Sequence, residues 1–472
     1  MNTLKKYSLL VLIILQIISC KTINPVNPLP NKALPNNFYT SKKDSIDNAK
    51  INWRDFFDDK QLNNLIDKAL VNNQEMNIYL QEIEISKNEV KEKKGEYLPK
   101  IAIGAGIGVN KTSENTTEGL IDKLIEDSGR ENPEIELGFD ANVSWEVDIW
   151  KKLRNAKGAA VSRLLSTKEG KNLLTTKLIS EIANSYYELM ANDNLIKILN
   201  ENIKIQEEAF NKMKILKENA KANQLAVNRF QAQLLNTKDQ KFSINQKIIE
   251  LENRLKFLTG KTVSAIERNS DKMMNLETNL LQENVPINLL ENRPDIKQAE
   301  YVVKASQLDF KSAKTNLYPK LDINNSIGFR AFNPALLLNP NSLVYNLAGN
   351  LVAPLINRNA IIARINVANA KQTQALLNYQ QIVLIAYTEV LNQISKIDNA
   401  KNSFEIKRDE VKILNESIDI ANSLFLYARA DYIEVLLTQE EYLKESMELV
   451  ESKLKLISSK VNLYRNLGGG WN

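Results

Sequence analysis

The sequence has no histidine and one cysteine, Cys20. Catalytic triads that use His, zinc sites built from Cys and His, and internal disulfides are therefore excluded. Its 15 glycines and 12 prolines in 472 residues are too few for many compact turns, so long uninterrupted elements are expected. An excess of one charge is missing too: 62 Lys and Arg stand against 57 Asp and Glu, both interspersed, and a formal charge of +5 gives no support to a nucleic acid partner. With 1 Cys and 7 Met there is no metal signature. Paired acids occur at Asp58 and Asp59, but on a polar chain they read as solvated surface. Neither a catalytic residue nor a metal ligand is expected.

What is present begins with a short secretory signal, residues 1–19. Lys5 and Lys6 precede an apolar run from Leu9 to Ile18, broken only by Gln16, and Ser19-Cys20 follows. The run is too short for a stop-transfer helix. Ile17-Ile18-Ser19-Cys20 resembles the bacterial lipobox, in which cleavage before Cys is followed by acylation of its thiol and of the new amino terminus. A covalent lipid on Cys20 is then the only attached group expected, and Lys21 is not the Asp that resembles an inner-membrane retention signal. Residues 20–38, with Pro25, Pro28, Pro30 and Pro35 among many Asn, read as an extended tether.

Two related halves follow. Tyr97-Leu98-Pro99-Lys100-Ile101 is echoed by Leu317-Tyr318-Pro319-Lys320-Leu321, and Asn253 to Gly260 lines up with Asn462 to Gly469 at a spacing of 209. Apolar residues spaced by seven run through Ile182, Leu189, Ile196, Ile203 and Phe210, and again from Leu376 through Val390, Ile397 and Phe404 to Phe425. The two series share one phase at an offset of 208. Leu235, Phe242 and Ile249 match Leu443, Val450 and Ile457 at the same offset. Such a repeat predicts left-handed supercoiling of two helical hairpins, about 154–260 and about 361–467. An arm of roughly 65 residues at about 1.5 Å each reaches on the order of 100 Å.

Four stretches alternate instead, at about 98–110, 137–147, 319–330 and 345–355. In the first, Ile101, Ile103, Ile107 and Val109 alternate with Gly104, Gly106, Gly108 and Asn110; in the second, Phe139, Ala141, Val143 and Trp145 alternate with Asp140, Asn142 and Ser144. The third sets Leu321, Ile323, Ile327 and Phe329 against Asp322, Asn324 and Ser326, with Asn325 as its exception, and the fourth is the weakest. Strands of about 9 to 11 residues with one apolar and one polar face suit a membrane barrel, and they suit a soluble sheet with a half-buried face as well. In lipid four strands leave open edges, because the smallest membrane barrels need about eight, so oligomerisation follows; two copies or three both satisfy the pattern. The loops Lys111–Glu136 and Ala331–Val344 lie on the side away from the helices and are expected outside the cell.

These residues resemble the TolC-like outer membrane efflux proteins, in particular the lipoprotein (NodT-type) branch that serves resistance-nodulation-division pumps. The resemblance is carried by Trp53 with Phe56-Phe57-Asp58-Asp59 and Leu62, Leu65, Ile66; by Ser144-Trp145-Glu146-Val147-Asp148-Ile149-Trp150; by Arg293-Pro294-Asp295-Ile296; and by Val461-Asn462-Leu463-Tyr464 running into Leu467-Gly468-Gly469-Gly470-Trp471. It covers nearly the whole mature chain. It implies a mainly α fold with a membrane β-barrel contribution: two tandem repeats, 39–290 (with a linker at 261–290) and 291–472, assembled as a homotrimer with a twelve-stranded barrel on a twelve-helix tunnel.

The resemblance also implies a gate at the hairpin turns, about Lys217–Leu225 and Phe425–Ile433, where Arg429, Asp431, Tyr432 and Glu434 are the candidates. Two features depart from the family: Ala220 and Ala428 stand where Gly is usual, and Leu437 replaces a common Asp. Asp140, Asn142, Asp322 and Asn324 are the candidate pore-lining residues. The implied partners are a periplasmic adaptor (membrane fusion) protein at the hairpin tips, an inner-membrane resistance-nodulation-division pump, and outer membrane lipid. The expected function is a passive exit duct for drugs or other small molecules, lipid-anchored in the outer membrane and projecting into the periplasm. A non-conducting coiled-coil spacer lipoprotein and a type I protein secretion duct are the alternatives.

Overall fold

The computed structural model describes residues 52–113, 115–126, 133–260, 265–276, 292–354, 358–427 and 429–471. The signal 1–19, Cys20 and the tether to residue 38, most of the linker 261–290, and Ala428 lie outside the described residues. The chain forms two compact units, each discontinuous in sequence and each drawing on both halves. Among the described residues, one contains 97–156 and 306–377, and the other contains 52–96, 157–305 and 378–471.

The first unit is built on an antiparallel sheet of four strands in the order β1-β2-β3-β4: Lys100–Asn110, Glu134–Val147, Lys320–Ala331 and Leu343–Val352. Its register keeps the alternation in phase across all four. Ile103 faces Ala141, which faces Ile327, which faces Tyr345. The fourth strand, weakest by pattern, starts at Leu343 and is in step with the rest, because Tyr345, Leu347 and Leu351 all fall on the apolar face. One expected loop differs. Residues Thr117–Glu126 form a helix, started by the Thr116 hydroxyl, which accepts the Gly119 N–H at 3.1 Å and caps the first turn.

In the second unit two return helices, Gln224–Leu258 and Tyr432–Asn466, each 35 residues long, follow the long helices Lys152–Glu218 and Arg358–Leu426. The main core gathers Leu62, Ile66, Ile182, Tyr186, Leu189, Leu199 and Leu255, with Leu443, Val450 and Ile457 from the second return helix. A second cluster joins Ile296, Ala386, Val390, Leu463 and Leu467. A third sits at the tip, where Met213, Val227 and Phe230 are buried beneath Phe210, Phe425, Tyr432 and Leu436.

Both return helices end in glycine for a steric reason. Gly260 and Gly468 have φ of 64° and 84°, where a Cβ clashes with the backbone. They lie 208 apart. The structural equivalent of Gly260 is therefore Gly468, and the pairing of Gly260 with Gly469 at 209 is one residue out.

At the first tip Ala220 itself takes the left-handed conformation, φ 55°. The Lys221 and Ala220 N–H groups donate to the Leu216 and Lys217 carbonyls at 2.8 and 2.9 Å, a Schellman closure usually made by Gly. Ala220→Gly is expected to stabilise the hairpin by about 1 kcal/mol in denaturant unfolding, since an L-residue in this region is strained by roughly that amount. Unchanged or lower stability would show that the turn is relaxed with Ala.

Candidate functional site

The sheet has two chemically distinct faces. Ile101, Ile103 and Ile107 of β1 and Tyr345, Leu347 and Leu351 of β4 share one face, and each is more than two-thirds exposed. An exposed apolar surface of this extent marks a membrane or protein contact. On the other face lie all four candidate pore-lining residues: Asp140 opposite Gly104 and Gly328, Asn142 opposite Ala102 and Ser326, Asp322 opposite Glu146 and Asn350, and Asn324 opposite Ser144 and Ala348.

That face carries its own counter-ions, and cross-strand register, which alternation does not reveal, sets the first of them. Arg330 pairs with Glu136 at 3.3 Å, Lys320 with Asp322 at 2.7 Å, and Lys152 with Glu146 at 2.9 Å. The Asn142 amide donates to the Asp140 carboxylate. The result is a wet, charged surface backed by an apolar one.

Just beyond the end of β2, Trp150 Nε1 donates to the Pro319 carbonyl at 2.8 Å and its ring lies 5.0 Å from that of Tyr318. Trp145 Nε1 donates to the Tyr97 carbonyl at 3.2 Å. Aromatic rings with satisfied polar tips at the strand ends suit the boundary between hydrocarbon and water. Asp148 then starts the first long helix: its carboxylate accepts the Leu153 and Arg154 N–H groups at 2.9 and 3.0 Å and the Arg154 guanidinium at 3.1 Å. Burial pushes its pKa up, but these three donors outweigh burial and hold the carboxyl below the ordinary carboxylate range. Its stabilising contribution is present at neutral pH and is lost as pH falls through that lowered value.

The gate candidates split into two roles. Asp431 is the N-cap of the second return helix, its side chain accepting the Tyr432 N–H at 2.7 Å. Tyr432 packs into the apolar tip cluster. Arg429, Asp431 and Glu434 are exposed, and among the described residues none of the three forms an ion pair within its own chain. At the position 208 residues earlier, Asn223 is the N-cap of the first return helix, its side chain accepting the Ala226 N–H, three residues on, at 2.9 Å.

Above the tip, Lys407 binds Glu410 and Glu448 at 3.3 and 2.8 Å and also Glu445, along one wall of a polar groove of about 760 Å³ between the second long helix and its return. Sequence reading missed this cluster; the Lys407 and Glu410 spacing of one helical turn was its only local sign.

Three of the four family-like segments, those at Trp53, Arg293 and Val461, meet in the second unit. Phe56 stacks on Tyr464 with centroids 4.1 Å apart. The Arg293 guanidinium binds Asp295, Glu389 and the Asn466 carbonyl at 2.6, 2.9 and 3.0 Å. Asp59 is more than solvated surface: it caps the helix Lys60–Asn72 and accepts the Tyr186 hydroxyl at 3.2 Å.

The model of the outer membrane efflux protein family matches residues 65–261 and 285–469. The chain belongs to this family. It is an outer membrane efflux protein. Cation efflux system protein CusC of Escherichia coli O6:H1 is 22% identical over 451 residues, covering 95% of this chain and 94% of the relative. The probable outer membrane lipoprotein SilC of Salmonella typhimurium is 22% identical over 459 residues, covering 96% of both. Among solved structures, the Campylobacter jejuni CmeC outer membrane channel superposes with a TM-score of 0.82 at 20% identity, covering 96% of this chain and 94% of that one. Mainly helical architecture and chain course are thus those of outer membrane efflux channels.

Proposed function

We propose that three copies of this chain form a passive exit duct, with four strands from each making a twelve-stranded barrel in the outer membrane and four helices from each a tunnel through the periplasm. The observation that carries this reading is the two-faced sheet with its open edges. A sheet that is apolar on one face and polar on the other fits a barrel wall, and β1 and β4, each unpaired on one side among the described residues, need partners in lipid, where an open edge leaves backbone groups unsatisfied. Two tandem repeats, 39–290 and 291–472, are supported by return helices of equal length, capped at Asn223 and Asp431 and ended at Gly260 and Gly468. Residues 1–19 act as the signal, and Cys20, carrying a covalent lipid, holds the mature end to the membrane through the tether to residue 38. No other cofactor is needed for passive flow.

Asp140, Asn142, Asp322 and Asn324 line the water path in this reading. Arg429, Asp431 and Glu434, which form no ion pair among the described residues, make charged rings at the tip, and Tyr432 anchors the turn that carries them. A periplasmic adaptor and an inner-membrane pump of the resistance-nodulation-division type supply docking and energy, and the pump selects which drugs or other small molecules enter. Opening requires only that a few kcal/mol of tip contacts be exchanged for contacts with the adaptor.

Single-channel conductance in a planar bilayer tests this, with wild type compared to the double variant Arg429→Ala, Asp431→Asn. Asn is chosen because it caps as Asp does and because Asn223 already does so here, so charge is removed without loss of the helix start. Wild type is expected to be mostly closed and the double variant to open at least about ten times more often, the effect of about 1.4 kcal/mol. Equal opening would move the gate elsewhere and keep the duct. Silence from assembled, inserted protein of both kinds would favour a non-conducting spacer.

A further inference from the structure

The apolar columns of the helical hairpins are broken at one level. Met213, Phe230 and Tyr432 belong to the tip cluster. One heptad further from the turns, the same three columns hold Gln206, Thr237 and Gln439, which are 2%, 0% and 5% exposed. A heptad beyond these, two columns turn apolar again at Leu199 and Ile244, both in the main core, and the third continues at the buried Ser446. A buried polar layer therefore separates the tip cluster from the main core. A separate count gives the same level. The Asn184 amide donates to the Asn462 side-chain oxygen at 3.2 Å, and counted from that bond along antiparallel helices, Gln206 and Gln439 come level to within about 1.5 Å.

Polar residues in a coiled-coil seam fix register when they bond to one another. These do not. Both amide atoms of Gln206, the Gln439 side-chain oxygen and the Ser446 hydroxyl are buried with no hydrogen-bond partner among the described residues. The Thr237 hydroxyl donates to the Gln233 carbonyl of its own helix at 3.1 Å. Buried polar groups without partners weaken the packing around them, so the layer supplies neither apolar cohesion nor cross-links between helices. Cohesion is kept on either side of it. Toward the turns, the tip cluster joins both hairpins. Beside the layer, Lys238 pairs with Glu207 at 2.7 Å and ties the arms of the first hairpin together. Away from the turns, Lys407 ties the arms of the second through Glu445 and Glu448.

We infer that this layer is a hinge plane: the two hairpin tips move as one body, and the parting of the tip that opens the duct ends at Gln206, Thr237 and Gln439. This rests on the duct proposed above and bounds its moving part. Proteins open locally in cooperative units whose limits fall where packing is poorest, and hinge motion is absorbed over a few residues.

Hydrogen exchange read by mass spectrometry, on the full-length oligomer in lipid nanodiscs, tests the plane. Amides at 207–218, 224–236, 415–426 and 432–438 are expected to exchange together, at least about ten times faster than those at 183–199 and 443–460, with a step at the layer. Gln206→Met with Gln439→Met keeps side-chain length and removes the polar atoms; it is expected to slow the tip group at least about tenfold and leave the other group unchanged. Thr237→Val is expected to slow it in part, and keeps the test decisive where the Met pair fails to fold. Added to Arg429→Ala, Asp431→Asn, the Met pair is expected to lower channel opening in a planar bilayer at least about tenfold. A smooth gradient toward the turns in place of a step, or a step that neither the Met pair nor Thr237→Val moves, overturns the plane and leaves the duct. So does a charge variant that opens as often with the Met pair as without it. A step that both layer variants remove, in a protein whose charge variant does not open, keeps the plane and overturns the gate at Arg429 and Asp431.

Discussion

Ile327→Lys is expected to abolish stable insertion of the protein. Ile327 lies mid-strand in β3, between Ala141 and Tyr345 on the apolar face, and it is 56% exposed within the chain. If that face meets hydrocarbon, a lysine near the bilayer midplane costs about 2–4 kcal/mol in each copy, and a threefold assembly incurs the cost three times. Asn324→Lys, three residues away on the opposite face, places the same charge in water and is expected to leave insertion intact while altering ion preference. Urea unfolding in liposomes and retention in the membrane fraction measure both. Equal tolerance of the two lysines would contradict a lipid-facing role for the Ile327 side.

Arg293→Met is expected to destabilise the helical unit by about 3 kcal/mol. The Arg293 side chain is 9% exposed, against 20% for Asp295 and 39% for Glu389, and its guanidinium also satisfies the Asn466 carbonyl at the end of the second return helix. Removing it leaves two partly buried carboxylates without their cation, and the loss of one partner from a buried charge cluster is far costlier than its net contribution. Arg293→Lys keeps the charge but cannot form the fork that binds Asp295 through two nitrogens, so partial recovery is expected. Denaturant unfolding followed by circular dichroism gives the values. A change under about 0.5 kcal/mol for Arg293→Met would show that water replaces the guanidinium at no cost.

Much of this architecture was legible before any coordinates, because period and phase are local properties. The alternation through Ile101 to Val109 and Leu321 to Phe329 located the strands. The heptads from Ile182 and from Val390 located the hairpins, since a seven-residue repeat over several turns has few other uses. Aromatic and charged motifs at Trp53, Arg293 and Tyr464 carried the family resemblance, and the fold shows them packed together. What escaped was non-local. The ion pairs of Arg330 with Glu136 and of Lys407 with Glu445 and Glu448 depend on strand register and on which hairpin arms lie side by side. Identical heptads at Phe242 and Val450 gave no sign that one is buried and the other bare, because burial depends on the partner. Asp59 looked solvated because its Tyr186 partner lies on a helix more than a hundred residues away. For the gate, the sequence marked the charged turn but could not separate Asp431 as a helix cap from Asp431 as a gate charge.

The most direct test of the whole account is labelling of single cysteines along β3 in membrane-inserted protein. Cys20, the only native cysteine, is consumed by its lipid in this reading, so the background is clean. Cysteines at Asp322, Asn324 and Ser326 are predicted to react with a water-soluble, membrane-impermeant thiol reagent, whereas cysteines at Ile323, Ile327 and Phe329 remain unreactive until detergent strips the lipid. Reactivity alternating with period two is the signature of a strand between water and hydrocarbon. Uniform reactivity at all six positions would show that both faces meet water, and the duct would be wrong.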